Sequence, residues 1–419
     1  MKAAVQKPLT QEEVLGIRKD FPMLRNVRAM QGLRFCYLDN GATSFKPDAV
    51  IKAIESYYTH WTANTHRGDY DLAHEADKKY AEARREVASF INADPDELVF
   101  TAGDSMGLNM VAFGLMGMVN PGDEILLSDA EHASNVLPWF AMAKLSGAVV
   151  KYIPLDERGN VTVANLKKTL SAKTKIISLA HVTNVLGNTI NAKALAQVAH
   201  ETGALFVLDG AQSVPHMPVD VKDLDCDFLV FSGHKMCGPT GIGCMYGKHQ
   251  LLEKMQPMLS GGGMNARFNE CGEITYERPP FKFEAGTQNI AGAYGLAQAC
   301  RYLKTIGMDR INSWERYLRA RVLKSIAGLK DVIVYNPASD TGIIDFNVKG
   351  VFAQDEATLL NSRGICVRSG QHCAKILSSF LKTDATVRAS LYFYNDEQDA
   401  DQFAAALTKG GDFLDAYFA

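Results

Sequence analysis

Short apolar runs recur through the middle of the chain, and each has about the length of a single strand. Several are almost continuously apolar, which is typical of strands buried on both faces of a parallel sheet. The pattern therefore predicts a buried sheet of seven strands. The runs cover residues 98–101, 124–127, 149–153, 175–180, 204–208, 227–231 and 242–246.

Amphipathic stretches separate these runs and predict helices between the strands. In the stretch 191–202, apolar residues recur at helical spacing, Asn191 is suited to cap the first turn, and Gly203 follows the last turn. The alternation of strand and helix predicts an α/β fold with helices on both faces of the sheet.

The pattern changes after about residue 300. Two long helical stretches, 291–307 and 310–328, are followed by short strand-like runs, and residues 396–418 have the pattern of a final helix. This arrangement predicts a smaller α+β domain. Its strand-like runs are 332–335, 343–348, 365–367 and 387–391.

The length of the chain also favours more than one domain, because 419 residues exceed what a single hydrophobic core usually holds. We predict an N-terminal segment packed on the small domain, a large domain with a mostly parallel seven-stranded sheet between helices, and a small C-terminal α+β domain. The predicted bounds are 1–30, 31–300 and 301–419.

Charge and composition narrow the possible partners. The formal net charge is −3 and no long basic run occurs, so nucleic acid is not expected to bind. No segment resembles a signal peptide or the roughly 20 apolar residues of a membrane span, so we expect no membrane association. Eight cysteines without a CxxC pair indicate a reducing, cytoplasmic protein without a metal site.

Two polar residues follow neighbouring runs of the predicted sheet. Asp209 follows run 204–208 and Lys235 comes shortly after run 227–231, at the carboxyl edge where open α/β sheets bind ligands. Alone, each has an ordinary alternative, an aspartate that caps a helix and a solvated lysine. Together they supply what pyridoxal phosphate needs, an amine for a Schiff base and a carboxylate that keeps the ring nitrogen protonated.

Two further segments also follow strand-like runs, as Asp209 and Lys235 do. Residues 101–109 follow a strand-like run and open an apolar helix, so their N–H groups and the Ser105 hydroxyl are suited to hold a phosphate. His132 follows run 124–127 and could stack on a planar ring. The alternatives are an ordinary helix cap and a surface histidine.

Together these segments resemble the fold-type I pyridoxal-phosphate enzymes of the class V aminotransferase group. Within that group the chain most resembles the Suf-type cysteine desulfurases, also known as selenocysteine lyases. The resembling stretches are YLDNGAT at 37–43, HRG at 66–68, EH at 131–132, HVTNVLG at 181–187, DGAQ at 209–212, SGHK at 232–235, FEAGT at 283–287, RSGQHCA at 368–374 and RASL at 388–391.

The resemblance implies a role for each site residue. Lys235 would hold the cofactor, with Asp209 at the ring nitrogen, Gln212 at the ring hydroxyl and His132 on the ring face. The phosphate would be contacted by Asp104, Ser105, Ser232 and His234. Thr287 would reach the same phosphate from the partner subunit of a homodimer. The substrate, L-cysteine, would be bound by Asn184, Arg388, Arg368 and His66.

Cys373 distinguishes a desulfurase from an aminotransferase, which would not need it. It has polar neighbours, whereas Cys226, Cys237, Cys244 and Cys300 have the surroundings of inert core residues. The resemblance implies that Cys373 takes the sulfur of L-cysteine as a persulfide and that alanine is released. A Suf-type acceptor protein for iron–sulfur cluster assembly would then receive the sulfur.

Two positions depart from the family pattern. Asp104 and Ser105 stand where relatives usually have two threonines, and Gln371 stands where many have histidine. Because a carboxylate beside a phosphate is unfavourable, we expect the Asp104 side chain to point away and its N–H to contact the phosphate.

Three alternatives remain open: a selenocysteine lyase with the same site, another class V aminotransferase-like enzyme, and a binding protein that has lost catalysis. The joint presence of Lys235, Asp209, His132 and Cys373 argues against the last.

Overall fold

The computed structural model describes residues 7–65 and 68–408. Seventeen strands lie in these ranges. They are β1 (Ala29–Met30), β2 (Leu33–Arg34), β3 (Cys36–Tyr37), β4 (Leu98–Thr101), β5 (Glu124–Ser128), β6 (Val149–Ile153), β7 (Thr174–Ala180), β8 (Leu205–Asp209), β9 (Phe228–Ser232), β10 (Gly243–Gly247), β11 (Asn265–Phe268), β12 (Ile274–Tyr276), β13 (Val332–Val334), β14 (Ile343–Val348), β15 (Ile365–Cys366), β16 (Arg368–Gly370) and β17 (Thr386–Ser390).

Fifteen α-helices lie in the same ranges. They are α1 (Gln11–Ile17), α2 (Pro22–Asn26), α3 (Asp48–His60), α4 (Asp71–Phe90), α5 (Asp104–Leu115), α6 (Leu137–Ser146), α7 (Val163–Thr169), α8 (Ala192–Glu201), α9 (Val221–Leu224), α10 (His249–Lys254), α11 (Ile290–Ile306), α12 (Met308–Ile326), α13 (Ala353–Ser362), α14 (Ser378–Leu381) and α15 (Glu397–Thr408). None of them combines the length and apolar character that a membrane-spanning helix needs.

A seven-stranded sheet forms the centre of the large domain, in the order β4-β10-β9-β8-β7-β5-β6. Six strands run in one direction and β10 is antiparallel to both of its neighbours. The predicted α/β class and the mostly parallel sheet of seven strands are therefore confirmed. Since β8 and β9 are parallel neighbours, their carboxyl ends lie side by side.

Local sequence signals explain where the helices begin. The Asn191 side chain accepts a hydrogen bond from Ala194 N and caps α8, as predicted. Asn289 caps α11 in the same way through Gly292 N. The buried face of α11 packs against α3 and α4 and covers one side of the sheet.

A second sheet forms the centre of the C-terminal region, with four antiparallel strands in the order β13-β14-β17-β16. Helices α12 and α15 pack against each other, and α13 contacts β14, β16 and β17. This smaller α+β unit carries Arg388 on β17 and Cys373 in the loop after β16.

The N-terminal segment contacts this C-terminal region through a polar pair and an aromatic cluster. Arg18 donates to Asp399 and to the carbonyl of Tyr394. The buried ring of Phe21 packs against Phe393 and Tyr394. Through these contacts the described part of the segment packs on the C-terminal region.

The structure also shows features that the sequence pattern did not indicate. Strand β3 pairs in parallel with β15, so residues just after position 31 join the C-terminal region. Strands β11 and β12 form an exposed hairpin. Pairing between distant or solvent-exposed segments leaves little periodic apolar signal.

Candidate active site

A cavity of about 280 Å³ opens at the carboxyl edge of the large sheet, between this edge and the C-terminal domain. It is lined by all but two of the residues singled out from the sequence. These are Asp104, Ser105, His132, Asn184, Asp209, Gln212, Ser232, His234, Lys235, Arg368, Cys373 and Arg388.

Lys235 and Asp209 reach the cavity from neighbouring strands. Asp209 is the last residue of β8, and Lys235 ends a short 3₁₀ turn, residues 233–235, that follows β9. Burial lowers the pKa of the Lys235 ammonium, while the negative charge of Asp209 opposes this effect. An amine whose protonated form is disfavoured in this way is suited to nucleophilic attack on a carbonyl carbon.

His132 and Gln212 provide a ring face and an amide beside this pair. The His132 Nδ1 accepts a hydrogen bond from Ser134 N at 3.1 Å, and burial lowers the pKa of the imidazole to about 4. His132 is therefore neutral near pH 7. The Gln212 Nε2 donates to the carbonyl of Gly41 at 2.7 Å, which fixes the orientation of the amide.

Hydroxyl groups cluster at the N-terminus of α5. The Ser105 and Ser134 hydroxyls lie 2.6 Å apart, and Ser232 Oγ accepts a hydrogen bond from Asp104 N at 2.8 Å. A Cβ on Gly243 would lie 2.6 Å from the Cα of Gly103, so the glycine lets β10 approach this loop closely. Hydroxyls at a helix N-terminus suit a phosphate group.

The Asp104 carboxyl group lies near Asp209, and its N–H donates to Ser232 Oγ. The expected contact of this N–H with a phosphate stays a prediction. Ser134, which we did not single out, supplies a further hydroxyl to the cavity. Its place two residues after His132 was the available signal.

A cationic group also lines the cavity. The buried Arg388 donates to the carbonyl of Asn184 at 2.8 Å, and its Nη2 lies 3.5 Å from Asp39 Oδ1. Asp39 also pairs with Arg368 at 2.9 Å. Asp39 was not predicted as a site residue, although it lies in the quoted segment 37–43.

Cys373 is exposed at the mouth of the cavity, whereas Cys226, Cys237, Cys244 and Cys300 are buried as predicted. His372 and Cys373 have φ values of 50° and 59°, a left-handed backbone that is strained for residues other than glycine. Asn184 Nδ2 donates to the carbonyl of His372, and Ala133 N donates to that of Cys373, both at 2.7 Å. These bonds hold the cysteine loop over the His132 turn.

Several buried polar atoms that line the cavity have no hydrogen-bond partner among the described residues. They include Gln212 Oε1, Asn184 Oδ1 and Arg388 Nε. Buried polar groups are rarely left unpaired, so these atoms indicate a polar ligand. An amide acceptor would suit the ring hydroxyl of pyridoxal phosphate, and a guanidinium donor would suit the carboxylate of an amino acid.

Two predicted residues are not brought to this cavity. Thr287 lines a separate depression with Thr65 and Gly286. This placement is compatible with a contact to a partner subunit, which stays a prediction. His66 lies outside the described residues.

Comparison with known proteins agrees with this geometry. Residues 36–403 match the model of the Aminotransferase class-V family. The chain belongs to this family. A probable cysteine desulfurase of Halalkalibacterium halodurans is 43% identical over 405 residues, which cover 96% of this chain and 99% of the relative.

Two solved structures of cysteine desulfurases share the fold of this class-V chain. The apo enzyme of Thermococcus onnurineus NA1 is 38% identical with a TM-score of 0.89, covering 97% of this chain and 98% of that one. The S-sulfonic acid form of CsdA from Escherichia coli is 35% identical with a TM-score of 0.87, covering 96% and 98%.

Proposed function

We propose that this protein is a pyridoxal-phosphate-dependent cysteine desulfurase that converts L-cysteine to L-alanine and keeps the sulfur on Cys373. The observation that carries the proposal is an exposed cysteine at the mouth of the cavity that contains the Lys235–Asp209 pair. The relatives named above agree with it, since they are cysteine desulfurases or probable ones.

Each residue has a task in this reaction. Lys235 would hold pyridoxal phosphate covalently, Asp209 would keep a proton on the ring nitrogen, and the neutral His132 would lie on the ring face. The bound cofactor supplies an electron sink that weakens the bond between Cβ and Sγ of the substrate. Arg388 would hold the substrate carboxylate, for which a guanidinium is suited.

Cys373 would then attack the substrate sulfur as a thiolate. The new bond joins the two sulfur atoms, the Cβ–Sγ bond breaks, and the electron pair of that bond stays with the alanine portion. A proton completes the methyl group of L-alanine, and the enzyme keeps a persulfide. The atoms balance as L-cysteine plus a thiol giving L-alanine plus a persulfide.

The sulfur would pass from Cys373 to a Suf-type acceptor protein in iron–sulfur cluster assembly. We also propose that the enzyme is a cytoplasmic homodimer and that L-selenocysteine can occupy the same site. The exposure of Cys373 supports delivery to a second protein, because an acceptor thiol must reach the persulfide.

Replacement of the cysteine tests the proposal. Cys373→Ala should still change its visible spectrum when L-cysteine is added, because substrate binding does not need the thiol, but it should release almost no alanine. Mass spectrometry of the wild-type protein after one turnover should find the extra sulfur on Cys373. Cys271→Ala is the matched control, because Cys271 is also exposed. Sulfur found on another cysteine, or full turnover by Cys373→Ala, would refute the assignment.

A further inference from the structure

An additional carboxyl group is buried in the cavity beside Asp209. Asp104 is the first residue of α5, and only 6% of it is exposed. Asp209, which ends β8, lines the same cavity, and the two carboxyl groups are close enough to affect each other's pKa. Two buried acidic side chains therefore meet where the cofactor ring nitrogen is expected.

The hydrogen bonds around Asp104 and Asp209 indicate whether one of the two carboxyl groups is protonated. Asp209 Oδ1 accepts from Ala211 N at 2.9 Å, whereas Asp104 Oδ1 receives no hydrogen bond from any described residue. The N–H of Asp104 is already donated to Ser232 Oγ. Since two ionised carboxylates contain only acceptors, a hydrogen bond between them requires that one carries a proton.

Electrostatics indicate which partner carries the proton. Burial and the charge of Asp209 raise the pKa of the Asp104 carboxyl group well above its usual value, and only Lys235 opposes this shift. Burial raises the pKa of Asp209 as well, but here the N–H of Ala211 and the charge of Lys235 favour the ionised form. The other basic group facing the pair, Arg388, acts on Lys235 and not on Asp104.

The remaining titratable groups of the cavity do not change this balance. Burial lowers the pKa values of His132 and His234 to about 4 and that of His372 to about 3, and it raises the pKa of Glu131, which interacts with Asp209, to about 8. All four groups are therefore uncharged near pH 7. Cys373 lies at the exposed mouth. The start of α5 favours a negative charge on Asp104, but such a contribution is usually below about 2 kcal/mol and does not remove the repulsion from a contacting carboxylate.

We propose that Asp104 and Asp209 share one proton as a carboxylic acid and a carboxylate, and that Asp104, as the acid, is a positioning residue that donates to Asp209. Asp209 then accepts from Asp104 on one side and is left to hold the cofactor ring nitrogen on the other. This role at the ring rests on the proposed function, whereas the shared proton does not.

A variant that mimics the protonated acid separates this proposal from a purely structural role. Asp104→Asn places an NH₂ donor where the acid O–H lies and cannot ionise. Asp104→Thr places a hydroxyl donor there. Both should bind pyridoxal phosphate within a few-fold of the wild-type affinity, as judged by titration of the cofactor-free protein.

Infrared spectroscopy detects a protonated carboxyl group directly. The samples are the full-length holoenzyme and the cofactor-free protein, both at pH 7. The difference between wild type and Asp104→Asn should contain the C=O stretching band of a protonated carboxylic acid. The control Asp71→Asn also removes the first residue of a helix, but an exposed one, and should lack that band. Loss of only an ionised carboxylate band in Asp104→Asn would overturn the proposal.

The pH dependence of stability is an independent test. The pKa of Asp104 is higher in the folded protein than in the unfolded chain. Above the usual carboxyl range, the folded protein therefore binds more protons than the unfolded chain, and its stability falls as the pH rises. The thermal midpoint of cofactor-free Asp104→Asn, relative to wild type, should therefore rise between pH 4 and pH 8. If the difference in thermal midpoint between the two proteins stayed the same over this pH range, the shared proton would be contradicted. Neither result depends on desulfurase activity.

Discussion

Arg388 is the residue whose surroundings most restrict its role. It is buried on β17 and its Nη1 donates a hydrogen bond to the carbonyl of Asn184. Its Nε has no hydrogen-bond partner among the described residues. The charge of Asp39 partly compensates for the burial that lowers its pKa. A buried guanidinium with a free donor is suited to bind a carboxylate in two-point fashion.

Arg388→Lys should therefore weaken substrate binding while retaining the positive charge. Hydrogen bonds to charged groups contribute roughly 1.5–3 kcal/mol, which corresponds to a fall in kcat/KM for L-cysteine of about 10- to 100-fold. The cofactor spectrum should not change. Arg321→Lys is a control on the surface, where Arg321 pairs with Asp401. An unaltered KM in Arg388→Lys would rule out the carboxylate contact.

His181 should contribute to acid sensitivity. It follows β7, is buried, and its pKa falls from the usual 6.5 to about 4 because of burial. The unfolded chain then binds more protons than the folded one between these values, so stability is lost as pH falls through this window.

The unfolding midpoint of His181→Gln should accordingly fall less steeply than that of wild type between pH 6.5 and pH 4. Thermal denaturation monitored by circular dichroism measures both slopes. His74→Gln, at an exposed site on α4, should keep the wild-type slope. Identical slopes for all three proteins would show that His181 is protonated as readily in the folded state as in the unfolded one.

At the scale of elements, a buried ion pair joins α4, the edge strand β4 and the segment before Thr287. Arg84 and Glu284 form two hydrogen bonds of 2.7 Å, and Glu284 also accepts from Phe100 N at 2.8 Å. Both side chains are almost fully buried. The pair therefore fixes the start of the segment that carries Thr287.

Arg84→Met should destabilise the protein strongly, because it leaves the Glu284 carboxylate buried without its charge partner. Removal of one partner of a buried pair typically costs about 3–5 kcal/mol in the free energy of unfolding. Lys193→Met breaks an exposed pair with Asp223 and should cost at most about 1 kcal/mol. Urea denaturation of both variants gives the comparison, and equal losses would argue against the buried pair as a support of this segment.

At the scale of the whole molecule, the position of Thr287 outside its own cavity predicts that two chains build each site. Each site would combine Lys235 of one subunit with Thr287 of the other. Lys235→Ala and Thr287→Ala homodimers should both be impaired, the second through weaker binding of the cofactor phosphate.

Mixed dimers test this arrangement. In a dimer of one Lys235→Ala and one Thr287→Ala chain, one site carries both substitutions and the other carries neither. Co-expression with two affinity tags should therefore yield about half of wild-type activity. If Thr287 contacted the cofactor of its own chain, each site would carry one substitution, and the activity would not exceed that of the Thr287→Ala homodimer. Sedimentation as a fully active monomer would also exclude the shared site.

The sequence alone determined the elements and most of the chemistry. The seven strands of the large sheet lie within one or two residues of the apolar runs, since burial on both faces imposes continuous apolar character on all of them except the half-exposed edge strand β6. Asp209 and Lys235 could be assigned to one edge because parallel strands end at the same side. Motif similarity then indicated the cofactor and singled out Cys373.

The tertiary structure alone decided contacts between distant parts of the chain. The pairing of β3 with β15, the ion pairs of Asp39 with two arginines and the left-handed cysteine loop join segments hundreds of residues apart or depend on backbone angles. The meeting of Asp104 with Asp209 is of the same kind. Local apolar periodicity reports burial and does not report which buried side chains touch, so a carboxyl pair is visible only in the folded molecule.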